Sequence, residues 1–356
     1  MNAAPRFASV DALRGLTVAA MLLVNNPGDW AHVYAPLLHS EWHGCTPTDL
    51  IFPFFLFIVG VSIALGILPR VEAGGELVRL RHAVLLRAAR IIGLGLLLHL
   101  LAYWLLDRPA FRPWGVLQRI GLCFGIAALL ASATSARVQW TLITGLVLGY
   151  WGLLEAGGSY APWQNLASRV DAWMLGPLAY QFDPVSGHGH DPEGLLSTLP
   201  AITTTLLGVR AGQWLRNGAT TRLLAAAVLA MAAGGLWSEL LPWNKNLWTS
   251  SYVAWTAGWA MLALWLGHLL VDRRGWPPLG RSFGVNAIAA YVGSAAMVYV
   301  LAGLGWWQPI YRLGFSDWMT PRFGPTVPSL AFALAFVALW WMLVRYMQYR
   351  RWYLKA

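Results

Sequence analysis

The sequence predicts an all-α protein, a polytopic transmembrane bundle of about ten helices with both termini in the cytoplasm. Composition carries the prediction. Of 356 residues, 58% belong to the set Ala, Val, Ile, Leu, Met, Phe, Trp, Tyr and Cys, and only 11% are charged. A soluble domain holds about 45–50% apolar and about 25% charged residues. Mean hydropathy is +0.53, and stretches near the ~20 apolar residues that a bilayer demands recur along the chain. A soluble globular enzyme, a disordered chain and a disulfide scaffold are thereby excluded. The net charge of +10 then describes orientation in a lipid bilayer, and nucleic acid is not an expected partner. Cys45 and Cys123 lie far apart and form neither a disulfide framework nor a CxxC pair.

Ten segments qualify as spans: roughly 10–25, 49–68, 84–106, 116–134, 138–155, 195–215, 222–241, 251–271, 284–304 and 329–348. The clearest runs from Leu50 to Leu68, nineteen residues without a charge. Asp11 and Arg14 interrupt the first. Its apolar run from Gly15 to Val24 has signal-peptide length, but Asn25-Asn26-Pro27-Gly28-Asp29 follows with no small-x-small cleavage pattern, so a signal peptide is rejected. With ten spans both termini share a side. The loops there hold fourteen basic residues: Arg6, Arg70, Arg79, Arg81, Arg137, Arg216, Arg222, Arg273, Arg274, Arg281, Arg345, Arg350, Arg351 and Lys355. The opposite loops hold six: Arg108, Arg112, Arg169, Lys245, Arg312 and Arg322. The positive-inside rule therefore makes the termini cytoplasmic. The long loops 26–48, 156–194 and 305–328 face outward. Neither a low-complexity linker nor a repeat divides the chain, so residues 1–356 read as a single membrane domain.

Charges within a bilayer are costly and are usually paired or functional. Asp11 and Arg14 are spaced to pair on one helix face. Arg87 and Arg90 suit the cytoplasmic end of the third span, where they snorkel to headgroups. Arg119 follows Gln118 inside apolar sequence and needs an anion or acceptor; its planar fork fits phosphate or carboxylate. The densest polar cluster is the first outer loop, with His32, His39, His43, Cys45 and Asp49. A zinc site there is disfavoured because Gly44 and Pro47 break the helix that would align His39 with His43, so no metal is expected. Proton transfer by one histidine is the chemical alternative to plain solvation. His188-Gly189-His190 reads as a mobile, solvated loop, and His82, His99 and His268 as packing or interfacial residues. Asp191-Pro192-Glu193-Gly194 runs into a span, where its carboxylates either cap a helix or face outward to hold an amine or sugar hydroxyls. Asn244-Lys245-Asn246 lies between tryptophans, a set suited to sugars and equally to interfacial anchoring. No P-loop, GxSxG, HExxH or dinucleotide fingerprint is present.

At these same residues the chain resembles a known family. Ser9-Val10-Asp11-Ala12-Leu13-Arg14-Gly15, Val24-Asn25, His39-x-x-Trp42-x-Gly44 and Asp49-Leu50-Ile51-Phe52-Pro53 look like the opening of heparan-α-glucosaminide N-acetyltransferases and their bacterial NagX-like relatives. Gly115-Val116-Leu117-Gln118-Arg119, Asp191-Pro192-Glu193-Gly194, Gly208-Val209-x-Ala211-Gly212, Asn244-Lys245-Asn246-Leu247-Trp248 and Gly284-Val285-Asn286 continue the likeness in order. The lysosomal member carries an N-terminal luminal domain that has no counterpart in these blocks, so heparan itself is not implied.

The resemblance implies a multi-pass enzyme of the bacterial inner membrane. It would take acetyl-CoA from the cytosolic side and N-acetylate an amino sugar, glucosamine or a terminal glucosaminide, on the periplasmic side. The family's catalytic histidine falls on His39, which would act as general base or as acetyl carrier. Asn25 would donate to the oxyanion and Asp49 would orient His39. Arg87, Gln118, Arg119 and Asn286 would hold the CoA phosphates or pantetheine, with Arg119 foremost. Asp191, Glu193, Asn244, Lys245 and Asn246 would face the acceptor sugar. His43 stands where the lysosomal enzyme has asparagine and inherits no role. The Trp-rich outer loops suit a homodimer interface, which nothing in the spacing requires. The alternative function is an N-acetylglucosamine-related sugar transporter, and a third is a non-catalytic membrane scaffold.

Overall fold

The computed structural model describes residues 7–354, so Arg6 and Lys355 of the topology tally lie outside it. Helices dominate. In chain order they are α1 Ala8–Asn25, α2 Ile51–Gly66, α3 Leu68–Glu72, α4 Leu77–Leu105, α5 Val116–Ala133, α6 Ala136–Ala156 and α7 Leu166–Leu175. There follow α8 Thr198–Arg216, α9 Thr220–Trp237, α10 Ser250–Gly267, α11 Arg281–Val285 and α12 Ala287–Gly303. The last are α13 Trp307–Tyr311, α14 Asp317–Phe323 and α15 Thr326–Tyr349. The sole sheet among the described residues is a two-residue hairpin, Gln181–Phe182 against Gly189–His190.

A helix falls within each of the ten expected spans. Seven are long and apolar enough to cross a membrane, or eight if α12 and the residues 307–323 beyond its 100° bend form one broken span. The three others are α6, α8 and α12, and for two of them a physical cause is visible. At 17 residues α12 is short. α8 is long enough but rich in buried hydroxyls, among them Thr203, Thr204 and Thr205. It is encased by α2, α5, α6 and α10, so protein and not lipid is its solvent.

The α2–α8 contact is the most extensive in the molecule, and glycine makes it close. A Cβ at Gly60 would meet the Thr205 carbonyl oxygen at 1.9 Å, and one at Gly208 would meet that of Phe57 at 2.0 Å. Small residues let helix backbones approach where lipid supplies no hydrophobic drive. The long loops expected to face outward are folded rather than open. Loop 156–194 contains α7, which is capped by Asn165 accepting from Ser168 N, and the hairpin. His190 is accordingly not the mobile residue expected. It is buried, bonded to Ser168 Oγ at 3.0 Å and set edge-on to Trp42 at 5.3 Å, and burial lowers its pKa to about 4.

Candidate active site

Three loops converge on His39. Trp42 Nε1 donates to the Tyr160 carbonyl at 2.7 Å, and Gly44 N donates to that of Trp243 at 2.8 Å. The Asp49 side chain organises the loop. One oxygen accepts from Ser40 N, Thr46 N and Thr46 Oγ1, which makes Thr46 and Asp49 a capping box ahead of α2. The other lies 2.6 Å from His39 Nδ1. A carboxylate so placed keeps the proton on Nδ1 and the lone pair on Nε2, the tautomer a base requires. His39 is about half exposed while Asp49 is buried. Lys245 Nζ stands 3.1 Å from Nε2. Burial lowers the Lys245 pKa, and the charges of Glu193 and Asp49 oppose that.

Behind Lys245 lies a salt-bridge network that the sequence reading missed. Arg112 Nε donates to Asp191 Oδ2 at 2.9 Å, and Nη2 donates to Asp191 Oδ1 at 2.5 Å and Glu193 Oε2 at 2.7 Å. Its guanidinium also covers the Tyr180 ring at 4.6 Å. Asp191 therefore does not face outward as expected. It is fully buried, and its oxygens also accept from Tyr180 N and Glu193 N. Glu193 is buried too; burial works against its charge, but Arg112, then Arg119 and Lys245, hold its carboxyl below the usual range. For Arg112 the carboxylates outweigh burial and raise the pKa. Asp171, also unforeseen, accepts from Leu195 N at 2.9 Å and lies so close to Gly194 that a Cβ there would come within 2.1 Å. Burial and the Asp191 charge raise Asp171 to about 6, against backbone hydrogen bonds that lower it. Only tertiary pairing across some 80 residues, 79 from Arg112 to Asp191, distinguishes Arg112 from an ordinary loop arginine.

Arg119 sits beneath this network and not among the arginines near the chain termini. It is fully buried, donates through Nη2 to the Gly194 carbonyl at 2.9 Å and to Ser197 Oγ at 2.5 Å, and covers the Trp248 ring at 5.2 Å. Its Nε and Nη1 have no partner among the described residues. Trp248 is itself fully buried with φ of 54°, a left-handed conformation held by packing on Phe52 and Tyr252 and by Nε1 donating to Thr204 Oγ1 at 3.1 Å.

A cavity of about 370 Å³ opens at the end of the bundle nearer the termini, with Arg14, Arg70 and Arg87 on its wall and Phe55, Leu117 and Ile288 further in. Arg87 lies 5.0 Å over Phe124, and Arg14 is tied to Asp11 and to the Gly284 carbonyl. A second cleft of about 260 Å³ is lined by Asn25, Trp30, Tyr291 and Tyr299. α1 and α12 line both in succession: Arg14 then Asn25, Ile288 then Tyr291. On an α-helix three residues span about 4.5 Å, so along α12 the two spaces are one turn apart.

Of the residues expected to hold CoA, Arg87 alone lines the cavity. Gln118 is buried, with Nε2 3.5 Å from His99 Nδ1, and Asn286 is buried between α11 and α12 with Nδ2 3.5 Å from the Val344 carbonyl. Asn25 is exposed and has no hydrogen bond to His39 or Asp49. Asn244 is buried and shapes its own loop, its Oδ1 accepting from Leu247 N at 2.8 Å and its Nδ2 3.4 Å from His43 Nδ1. Asn246 is half-buried beside it. No group of three or more His, Cys, Asp or Glu that could hold a metal exists among the described residues.

A multi-pass helical membrane protein with a histidine–carboxylate pair at its loop face is the class that this fold and site define. The chain matches the family described as "Heparan-alpha-glucosaminide N-acetyltransferase, catalytic" over residues 6–238, and it belongs to that family. It is 30% identical to the Homo sapiens heparan-alpha-glucosaminide N-acetyltransferase, in a match covering 81% of this chain and 52% of that protein. To the Mus musculus protein of the same name it is 29% identical, covering 82% and 54%. The chain thus spans about half the length of these relatives. The family match includes His39, Asp49, Arg87, Arg112, Arg119, Asp191 and Glu193 and ends before Lys245 and Asn286.

Proposed function

We propose that the chain is an acetyl-CoA-dependent membrane N-acetyltransferase of the bacterial inner membrane whose acceptor is the amine of glucosamine or a terminal glucosaminide on the periplasmic side. The observation that carries this is the 2.6 Å contact of His39 Nδ1 with Asp49, which leaves Nε2 as the basic nitrogen at a half-exposed face. His39 Nε2 takes the proton of the attacking amine, and Asp49 stabilises the imidazolium that forms. Transfer through an acetylated His39 is the other route. The cavity of Arg14, Arg70 and Arg87 receives the CoA phosphates, because guanidinium groups bind phosphate oxygens in pairs. The α1–α12 seam then leads the pantetheine toward Asn25. Arg119, with two unpartnered donors, steadies the reacting layer instead of the phosphates.

The test is purified protein in detergent with acetyl-CoA and glucosamine, following free thiol. Release by the wild type and none by His39→Ala is expected. Counterflow of N-acetylglucosamine into liposomes without CoA, and no thiol release, would replace the enzyme with a transporter.

A further inference from the structure

We propose that Lys245 is a self-acetylation site: when no acceptor is bound, its Nζ takes the acetyl group from acetyl-CoA beside His39. The proposal rests on acetyl-CoA reaching His39, the function proposed above. Its own basis is geometric. Nζ lies 3.1 Å from Nε2 and 3.4 Å from Nδ1 of His39, a primary amine in the place that a base reserves for the amine it deprotonates. The position is built, not incidental. Gly44 N holds the Trp243 carbonyl, Leu247 N is bound by Asn244 Oδ1, and Trp248 N donates to the Lys245 carbonyl at 3.2 Å.

The composition singles out this residue as well. Of 25 basic residues in the chain only Lys245 and Lys355 are lysines. Arginine supplies positive charge everywhere else, and a guanidinium stays protonated and is a poor acyl acceptor. Lysine beside His39 is the one basic side chain there that can lose a proton and become a nucleophile. Burial favours its neutral form.

In the step, the Nζ lone pair attacks the thioester carbonyl. The C–N bond forms, the C–S bond breaks, and His39 Nε2 carries the amine proton to the departing thiolate. The products are Nε-acetyl-lysine and free CoA. The acetylated side chain has lost its charge opposite Glu193 and fills the acceptor's place, so acetyl-CoA without acceptor turns the site off, and the acceptor protects it.

The test incubates the full-length detergent-solubilised protein with radiolabelled acetyl-CoA alone, removes hydroxylamine-labile label, and maps what remains by peptide mass spectrometry. Stable label on Lys245 is expected, suppressed by saturating glucosamine and absent from His39→Ala and Lys245→Arg, with thermal melts showing that both variants fold. Unmodified Lys245, or equal labelling in His39→Ala, overturns the proposal. Thiol release with glucosamine, measured on the same preparation, reports separately: turnover with an unmodified Lys245 sinks self-acetylation and leaves the proposed function standing. A labelled Lys245 without turnover on any amino sugar does the reverse.

Discussion

The loops around His39 and the cavity near the termini both concentrate charge, but they are built differently. Around His39 the polar groups are engaged by the protein itself: Asp49 by two backbone amides, a hydroxyl and an imidazole, and Asp191 and Glu193 by Arg112. In the cavity Arg14 is held by Asp11, but Arg70 and Arg87 have no ion pair among the described residues. Acid–base chemistry needs groups whose positions are settled before the reactants arrive. A phosphate site needs the contrary, cations whose best partner is the ligand. On the proposed function, the comparison divides the work: chemistry at the settled end and donor affinity at the end with unpaired arginines.

That separation can be broken by measurement. The largest effect is expected from His39→Ala, a loss of at least ~10²-fold in thiol release with acetyl-CoA affinity unchanged in equilibrium binding. An equal loss of affinity would merge the two regions. Arg112→Ala leaves two buried carboxylates unpaired and should cost about 3–5 kcal/mol of stability, read as a fall in thermal midpoint in detergent. Arg112→Lys should recover only part, because one ammonium cannot replace a two-pronged contact. Arg87→Ala should weaken acetyl-CoA binding by about 1.5–3 kcal/mol, raising KM with kcat nearly intact. A fall in kcat alone would place Arg87 in the chemistry.

The smallest effect sharpens the picture of the loops around His39. Folded His190 has a pKa near 4 against an ordinary 6.5, so below pH 6.5 the unfolded chain binds a proton that the folded chain refuses. Stability from this group is present above 6.5 and is lost as pH falls toward 4. His190→Gln should therefore lose about 1–2 kcal/mol less than the wild type between pH 7 and pH 5. Identical acid sensitivity would show that His190 is solvated in the folded protein.

Legibility from sequence followed the range of the forces involved. The apolar run of α2 and the Asp11–Arg14 pair are local patterns, and each stands in the structure as composition and spacing imply. The His39–Asp49 pairing was also within reach, since only ten residues separate them. Arg119 inside apolar sequence needs a partner, but which one depends on α8 and on the loop before it, which bring Gly194 and Ser197 to its guanidinium. Arg112 carried no local signal at all. Asp191 looked like an open carboxylate because the arginine that buries it lies 79 residues away.

By itself the amino-acid order determined the helical class, the membrane setting and the short-range pairs, because hydrophobic runs and neighbouring charges act through the chain's own periodicity. Only the tertiary structure decided that Lys245 stands at the imidazole, that Asp191 is occupied, and that three arginines share a cavity which Arg119 does not enter. Those facts depend on which helix faces meet. That is a matter of close packing between distant segments, here through glycines such as Gly60 and Gly208.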